Sequence, residues 1–380
     1  MKKIVIAIDS FKGCLSSAAI AKAVARGIWS VLPHCEVVQL PIADGGEGTV
    51  DALVAATGGT YISPIVQNPL GQPIAARYGI LGNGRQAVIE MAAASGLALI
   101  PSRSGQVMHC TTFGTGQLIA DAIHRGCRDF LLGIGGSATN EAGIGLLQAL
   151  GFQFRDAQGR PIPPTGEGLC QLASIHTEGA LPELSACHFH LLTDVQNPLY
   201  GPNGAAHIFA PQKGATPDQV EQLDQALQRF AQLVQQQTNR NINQPGAGAG
   251  GGMAGGCMAF LPATVESGIE VVKQALQFDE VIQGADLILT GEGKVDQQTR
   301  QGKVIAGVLK SARAQQIPVV ALTGNCLDYD PQLSSDGLTA LFPIHPAPLT
   351  LTEALDPTFA AQQLERTTQQ IIAMLNVFNC

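Results

Sequence analysis

Alternating buried strands and helices at both ends of the chain restrict how this sequence can fold more than any other feature. Residues 4–8 read IVIAI, an apolar, β-branched run typical of a strand that is buried on both faces. Ser16 or Ser17 can cap the helix that follows, and a second strand (37–40) and a second helix (49–56) come next. Strands that alternate with helices predict a parallel sheet.

The same alternation returns near the C-terminus. Strands are predicted at residues 286–290, 319–322 and 338–342, and helices at residues 304–314 and 358–378. We infer that both ends share one doubly wound, Rossmann-like parallel sheet, formed by residues 1–60 and 284–380. Residues 61–283 then form a second, inserted α/β domain, and a length of 380 residues also favours two domains.

The middle of the chain has a different pattern. Between residues 60 and 91, short apolar runs alternate with glycine-containing turns, which predicts antiparallel hairpins. Residues 114–125, 130–134 and 141–150 then read as helix, strand and helix. From sequence alone, the segment 106–150 fits either domain.

Composition excludes several classes of function. The net charge of −8, with only 22 Lys and Arg, argues against a nucleic-acid partner, because phosphate backbones need a basic face. The nine cysteines include no CxxC pair, which indicates reduced thiols in a cytoplasmic protein. No apolar run approaches the roughly 20 residues of a membrane span, so no membrane partner is expected. The sequence is compatible with a monomer and with a homodimer.

One glycine-rich segment, GIGGSATNEAG, follows a predicted strand and precedes a predicted helix. Gly135 and Gly136 free the backbone for close approach, and Ser137, Thr139 and Asn140 add polar side chains. Such a loop can cradle phosphate groups, and a tight turn with an ordinary helix cap is the alternative. No GxxxxGK[ST] phosphate loop is present.

Two further segments place carboxylates beside glycines. ADGGEGT contains Asp44 and Glu47 after a predicted strand, and TGEGKVDQQT contains Glu292, Lys294 and Asp296 after another. Carboxylates at such turns suit a hydrated Mg²⁺ or a substrate hydroxyl, and a lysine among them suits a triphosphate. A helix cap for Asp44, and a salt-bridged turn for the second segment, are the alternatives.

A lone aspartate and four lysines complete the candidate residues. Asp194, in TDVQNPL, ends a predicted strand, at the edge where open α/β sheets bind ligands, and it could accept a hydroxyl proton. Lys12, Lys213, Lys294 and Lys303 are four of the nine lysines and lie in glycine-flanked loops. Phosphoryl transfer needs such cations, although each lysine alone is more often a solvated side chain.

Ten segments, in order along nearly the whole chain, together resemble the glycerate kinase type 1 family of bacteria. They are DSFKGCLSS, ADGGEGT, EMAAASGL, TTFGTGQLI, GIGGSATNEAG, TDVQNPL, FAPQKGA, PGAGAGGGMAG, SGIE and TGEGKVD. The resemblance implies ATP-dependent phosphorylation of D-glycerate to 2-phosphoglycerate. It also implies a Rossmann-like domain and a second α/β domain, with the active site in the cleft between them.

Physical roles follow as hypotheses within that resemblance. Mg·ATP places its phosphates against the loop of Gly135, Gly136, Ser137, Thr139 and Asn140, near Lys294. Asp44, Glu292 and Asp296 hold the Mg²⁺ through water, and Lys12 and Lys213 compete for the carboxylate of glycerate. Asp194, or else Asp44, receives the proton of the 2-hydroxyl group.

Two other classes of protein stay open on the residues alone. An NAD-dependent oxidoreductase is suggested by the Rossmann-like ends and by the GxGxxG pattern of Gly246, Gly248 and Gly251, but this pattern is a weak signal because no convincing strand precedes it. The turn after the first strand, DSFKGC, contains no GxG, which counts heavily against this class. A hinge or a close-packed helix start is the preferred reading of these glycines. The other class is a two-domain protein that binds a ligand without catalysis.

Overall fold

A computed structural model describes residues 1–101, 105–296, 299, 303–326 and 329–377. These residues form two compact units, the first from residues 1–56 and 267–380 and the second from residues 57–266. The strands are β1 (Lys3–Ile8), β2 (Glu36–Gln39), β3 (Thr60–Ile62), β4 (Ile65–Gln67), β5 (Pro73–Ala75), β6 (Tyr78–Ile80), β7 (Gln86–Glu90), β8 (Asp129–Gly133), β9 (Gln153–Arg155), β10 (Ser174–His176), β11 (His188–Leu192), β12 (Ala263–Glu266), β13 (Leu287–Lys294), β14 (Val319–Asn325) and β15 (Leu338–Pro343).

The helices connect these strands, and several have only one turn. They are α1 (Ser17–Trp29), α2 (Thr49–Thr57), α3 (Ala92–Ser95), α4 (Phe113–His124), α5 (Ile144–Ala149), α6 (Gly166–Leu169), α7 (Ala205–Phe209), α8 (Pro217–Thr238), α9 (Met253–Phe260), α10 (Gly268–Ala275), α11 (Phe278–Val281), α12 (Val304–Ala314), α13 (Gln332–Ser335), α14 (Leu351–Ala354) and α15 (Pro357–Val377). Short 3₁₀ segments lie at Leu97–Leu99, Gln106–His109, Pro182–Ala186 and Pro211–Lys213.

The first unit is built on a parallel sheet, as the sequence predicts. Its strand order is β15-β14-β13-β1-β2, and every neighbouring pair is parallel. β1 lies inside the sheet, and Ile4, Val5 and Ile6 are fully buried, which explains why this strand is apolar on both faces. Parallel strands end together at one edge, so the loops that follow β1, β13 and β14 meet there.

α1 covers one face of this sheet together with α15. The hydroxyl of Ser16 accepts a hydrogen bond from the N–H of Ala19 at 3.3 Å, which confirms the predicted cap. Ile20, Val24 and Ile28 recur every four residues and are fully buried in the first unit's core. The two helices therefore form one layer that packs on this sheet.

The second unit has a mixed sheet with the order β12-β11-β8-β7-β6-β3. β7, β8, β11 and β12 are parallel, whereas β3, β6 and β7 pair antiparallel. β4 and β5 form a separate hairpin. The antiparallel pairing predicted for residues 60–91 is therefore present, and the parallel part forms where strands alternate with helices.

The units divide at positions that differ from the predicted boundaries of 60/61 and 283/284. Residues 106–150, which fitted either domain, lie in the second unit, where β8 pairs with β7 and β11. Residues 267–283 lie in the first unit because α10 contacts α12 there. A Cβ added to Gly307 would lie 2.4 Å from Ile269, and Glu270 pairs with Lys310 at 3.1 Å.

Two expectations from composition can be compared with the structure. The cysteines at positions 14, 35, 110, 127, 170, 187, 257 and 326 carry no disulfide, and Cys380 lies outside the described residues. In the part of the chain that the structure describes, no helix is both long and apolar enough to cross a bilayer.

Candidate active site

A cavity of about 830 Å³ lies at the carboxyl ends of the strands in the first unit. Ligands in open α/β folds bind at this edge of the sheet. Three carboxylates and three lysines contribute to its lining: Asp9, Lys12, Asp44, Glu292, Lys294 and Lys303. The two carboxylate-glycine segments singled out in the sequence are therefore brought together in one cavity.

Asp9 lines this cavity but is not among the site residues predicted from the sequence. It follows β1 directly, is only 5% exposed, and accepts a hydrogen bond from the N–H of Ser10 at 2.7 Å. Burial and the neighbouring carboxylates Asp44 and Glu292 hold the pKa of Asp9 well above its usual value. Its position immediately after a buried strand was the signal that could have identified it.

Asp44 lies in a tight turn before α2. Its Oδ1 accepts a hydrogen bond from the N–H of Gly46 at 3.0 Å. Gly46 lies three residues before Thr49, where α2 begins. An added Cβ at Gly46 would lie 2.9 Å from that oxygen and 3.8 Å from the ammonium nitrogen of Lys12. The turn therefore points the carboxylate into the cavity beside Lys12 and does not use it to cap the helix.

Glu292 lies within β13, which extends further than the predicted strand. β13 continues to Lys294 because Glu292 and Lys294 pair with Thr323 and Asn325 of β14. Burial raises the pKa of Glu292 to about 7, with Lys303 opposing the rise and the Asp44 and Asp296 carboxylates adding to it. The Glu292 carboxylate also accepts a hydrogen bond from the N–H of Ile305, in the first turn of α12, at 3.3 Å.

Lys294, Asp296 and Lys303 form a charged group beside Glu292. The Lys294 ammonium lies 3.1 Å from Asp296, and the Lys303 ammonium lies 3.8 Å from both Asp296 and Glu292. Gln297 and Gln298 of the same segment lie outside the described residues. The salt-bridged turn that was the alternative for this segment is present, and it faces the cavity.

The carboxylate oxygens that line this cavity are suitable ligands for Mg²⁺. Carboxylate oxygens are the ligands that Mg²⁺ prefers, and it commonly uses one or two of them together with water and phosphate oxygens. Mutual repulsion among Asp9, Asp44 and Glu292 is relieved by a cation. Among the described residues, no group of three or more His, Cys, Asp or Glu side chains is arranged to chelate a metal by itself.

A group of apolar residues, which the sequence did not indicate and which we call the apolar wall, also lines this cavity. It includes Pro343, Pro348, Leu351 and Leu355, and Leu351 is 74% exposed. His345 also lines the cavity, and burial lowers the pKa of its imidazole. A cavity lined by both charged and apolar side chains suits an amphipathic ligand such as a nucleotide.

In the second unit, the GGSATN loop and Asp194 follow adjacent strands. β8 and β11 are parallel neighbours in which Gly133 pairs with Leu192, so the segments after them leave the sheet at the same edge. Asp194 is partly buried two residues beyond β11. The sequence prediction that both lie at a carboxyl edge is consistent with this register.

Within the loop, the glycines are exposed and the side chains are buried. Gly135 and Gly136 are accessible, whereas Ser137 is 8% exposed and Thr139 and Asn140 are fully buried. The loop is anchored by hydrogen bonds from Leu97 N–H to Gly136 O and from Ala138 N–H to Ser95 O, both at 2.9 Å. An anion can therefore meet the peptide groups of the glycines, and the buried side chains support the loop from within.

Lys213 lies behind this loop and does not face solvent. It is 3% exposed, and its ammonium donates hydrogen bonds of 2.7 Å to the hydroxyl of Ser137 and to the carbonyl of Thr139. Asn140 is anchored in a similar way, since its side-chain amide donates to Ala205 O at 3.1 Å. Both predicted ligand residues therefore contact the protein itself.

The helix predicted at residues 141–150 begins three residues later, at Ile144. Ala142 and Gly143 have φ values of 56° and 72°, which places the backbone outside the helical region. The N–H of Ala142 donates to Gly251 O at 3.2 Å. Packing against the glycine-rich segment therefore delays the helix start.

The glycine-rich segment around Gly246, Gly248 and Gly251 is a close-packed helix start. No strand precedes it directly, and α9 follows it. An added Cβ at Gly251 would lie 1.9 Å from Thr139 O, and one at Gly256 would lie 1.9 Å from Ala142 O. The glycines let two backbones touch, which does not support the dinucleotide interpretation.

The chain is similar to known proteins over nearly its whole length. Residues 4–376 match the model of the Glycerate kinase family. The chain is 43% identical over 376 residues to a glycerate kinase of Bacillus subtilis (strain 168), covering 99% of this chain and 98% of that protein. It is 41% identical over 378 residues to the glycerate 2-kinase of Escherichia coli (strain K12), with coverage of 99% and 98%.

A solved structure shares the fold. A crystal structure of a Salmonella typhimurium LT2 protein that carries the provisional name glycerate kinase 2 superposes with a TM-score of 0.89 at 42% identity. The match covers 100% of this chain and 99% of that one.

Proposed function

Because the chain belongs to the glycerate kinase family and is an enzyme that phosphorylates glycerate, we propose that it transfers the γ-phosphoryl group of ATP to the 2-hydroxyl of D-glycerate. The products are ADP and 2-phosphoglycerate. The observation that carries this proposal is the meeting of Asp9, Asp44 and Glu292 with Lys12, Lys294 and Lys303 in one cavity. Phosphoryl transfer rests on positioning and on charge stabilisation, and such a group of side chains provides both.

The cavity of the first unit is proposed as a nucleotide site. Its volume of about 830 Å³ is far larger than glycerate requires and lies within the range of drug-sized ligand pockets. The apolar wall with Pro343, Pro348 and Leu351 suits the base, and Lys12 and Lys294 suit the phosphates. The phosphate role of Lys294 proposed from sequence is supported by its position among the charged side chains that line the cavity.

Asp44, Glu292 and Asp296 would hold the Mg²⁺ that accompanies the nucleotide, partly through water. When bound, the ion would neutralise charge on the phosphate oxygens. Glu292 is held by the N–H of Ile305 and, when it is ionised, by the ammonium of Lys303. Asp9 lies close enough to Asp44 and Glu292 to share the same electrostatic environment.

The loop of the second unit is proposed to bind an anionic group of the reactants. The sequence suggests a phosphate here, and the carboxylate of glycerate is an anion of the same kind. Both can accept hydrogen bonds from the backbone N–H groups of the exposed residues Gly135 and Gly136. Ser137 and Thr139 position those groups, and Lys213 and Asn140 support the loop from behind.

A proton must leave the 2-hydroxyl as its oxygen bonds to the γ-phosphorus and the bond to ADP breaks. We propose Asp194 as its acceptor, with Asp44 as the second candidate. Asp9 joins them as a third because a buried carboxylate with a raised pKa is a stronger base. Parallel Asp→Asn variants test the three, since loss of the acceptor lowers kcat by about 10²-fold or more. Asp44 is also proposed to hold Mg²⁺, so Asp44→Asn identifies the acceptor only if the effect of Mg²⁺ on ADP binding is unchanged in that variant.

The finer architecture is also a proposal. The order β15-β14-β13-β1-β2 supports a doubly wound, Rossmann-like domain, and the second unit interrupts it in sequence as an inserted α/β domain. Since the reaction consumes ATP, we propose a cytoplasmic location.

A coupled assay tests the reaction and its position. Purified protein receives ATP, Mg²⁺ and D-glycerate, and the product is offered directly to enolase, which accepts 2-phosphoglycerate. Immediate conversion is expected, and omission of ATP is the control. A requirement for added phosphoglycerate mutase would instead identify the 3-hydroxyl as acceptor, and no phosphorylated glycerate at all would overturn the proposed activity.

A further inference from the structure

Lys213 differs from the other deeply buried lysine of this chain. Lys273 is 5% exposed and pairs with Glu270 at 3.2 Å. Lys213 is 3% exposed, and its ammonium donates to two neutral acceptors, the hydroxyl of Ser137 and the carbonyl of Thr139. Within the described part of the chain, no carboxylate lies within ion-pair distance of Lys213.

The titratable groups that face Lys213 do not supply a full counter-charge. Those that influence it are Cys110 and Glu141. Burial raises the pKa of the Cys110 thiol to about 12, so this group stays neutral. Glu141 is fully buried, and burial raises its pKa to about 7, so its negative charge is only partly present at neutral pH. Its Oε1 has no hydrogen-bond partner among the described residues.

The ammonium lies directly behind the exposed part of the loop. Ser137 and Thr139 accept its hydrogen bonds. Ser137 directly follows Gly136 in the chain, and Thr139 lies two residues further on. An anion held by the glycine N–H groups would therefore approach a buried cation that lacks an ion-pair partner. Burying a charge without an ion-pair partner is costly. An anion that binds at the loop supplies this partner and so favours the charged form of Lys213.

We infer that Lys213 is a positioning residue and the internal counter-charge of the loop's anion site, and that it takes up a proton when an anionic reactant binds. This inference rests on the proposed function of the loop as an anion site. Lys213 does not touch the ligand in this scheme. Its proton comes from solvent, no covalent bond changes, and the gain in charge stabilises both the loop and the bound anion.

The direction of the pH effect follows from burial. Burial lowers the pKa of Lys213 to about 7, so above neutral pH the unliganded lysine is mostly uncharged. A nearby anion favours the charged form and raises that pKa, so binding takes up protons near pH 8 and hardly any near pH 6. Anion affinity is therefore expected to fall as pH rises above 7. Glu141 can add to the uptake in the same direction.

Calorimetry in two buffers of different ionisation enthalpy measures this uptake. MgADP and D-glycerate are titrated separately at about pH 8, where ionisable groups of both ligands are already deprotonated. For the ligand that occupies the loop, wild type is expected to take up about 0.5–1 proton. Uptake with MgADP would identify a phosphate at the loop, and uptake with D-glycerate would identify a carboxylate.

Three variants separate a charge role from a structural one. Lys213→Met is expected to lose at least half of the uptake and to bind the ligand about tenfold or more weakly. Lys213→Arg keeps a permanent charge, so it is expected to bind without that uptake and with a flatter pH profile. Lys273→Met is the matched buried control and should keep the uptake of wild type. Thermal unfolding of each variant checks that it is folded.

The outcomes are distinct. Equal binding enthalpies in both buffers for wild type, or full uptake retained in Lys213→Met, would overturn the role of Lys213 while leaving the kinase activity intact. If Lys213→Met does not fold, Lys213→Arg decides alone, since retained uptake in that variant contradicts the inference. Failure of both ligands to bind wild type would overturn the proposed function and the inference with it.

Discussion

Gly251→Ala is expected to destabilise the second unit and to weaken anion binding at the GGSATN loop. Gly251 has a φ of 69°, and an added Cβ would lie 1.9 Å from Thr139 O, 2.7 Å from Thr139 C and 2.8 Å from the Cα of Asn140. All three atoms belong to backbone, so no side-chain rotation relieves the contact. The carbonyl of Thr139 is also an acceptor for Lys213, so a displaced Thr139 disturbs the loop's support.

The magnitude can be worked from three contributions. A left-handed conformation costs an alanine about 1–2 kcal/mol, and the reduced freedom of the unfolded chain returns about 0.4–1 kcal/mol. Overpacking against a fixed backbone adds about 1–3 kcal/mol. The midpoints of these ranges give a total cost of about 3 kcal/mol for Gly251→Ala, most of it from the contact with Thr139.

Gly84→Ala is the matched control. Gly84 lies in the same unit with a φ of 67°, and an added Cβ there meets no atom within 4 Å. It should cost only about 1 kcal/mol, because only the conformational contributions remain. The difference of about 2 kcal/mol corresponds to a melting temperature about 4–8 °C lower for Gly251→Ala, since a unit of this size shifts about 2–4 °C per kcal/mol.

Differential scanning calorimetry measures both melting temperatures, and titration with MgADP and D-glycerate follows the loop. Equal melting temperatures for the two variants would refute the close backbone contact between residues 251 and 139. A large loss of stability with unchanged affinity for both ligands would refute the link between this contact and the loop's function.

Two further predictions concern single side chains. Asp194→Asn should lower kcat by about 10²-fold or more with little change in the KM for glycerate, as measured by the coupled assay, and a loss below about threefold would exclude it as proton acceptor. Lys294→Ala should raise the KM for ATP or lower kcat by about tenfold or more, because it removes a cation from the phosphates. Lys310→Ala is the control, since Lys310 lies at an exposed position. Unchanged kinetics for Lys294→Ala would remove this lysine from the phosphate site.

The parallel sheet of the first unit was predictable because its signals are local. Apolar runs such as residues 4–8 and a serine before a periodic helix identify elements without knowledge of distant contacts. The ends of elements depend on partners elsewhere in the chain. β13 runs on to Lys294 through pairing with β14, and α5 starts late because Ala142 packs against the glycine-rich segment.

The candidate site was predictable in its residue types and less so in their roles. Asp44, Glu292 and Lys294 were recognised from glycine-flanked motifs, and the structure places all three around one cavity. Asp9 was missed because its raised pKa depends on burial and on carboxylates that are 35 and 283 positions away in sequence. Lys213 was proposed from its glycine-flanked loop to bind the carboxylate of glycerate, and its burial behind the GGSATN loop depends on tertiary packing that the sequence does not reveal.

Calorimetric titration of ADP with and without Mg²⁺ tests most directly whether the first unit's carboxylates and lysines form a metal-nucleotide site. Wild type is expected to bind ADP at least about tenfold more tightly with Mg²⁺, a difference of about 1.4 kcal/mol, and Glu292→Gln should lose that gain. Equal affinity of wild type for ADP with and without Mg²⁺ would contradict the proposed site, and so would an undiminished effect of Mg²⁺ in Glu292→Gln.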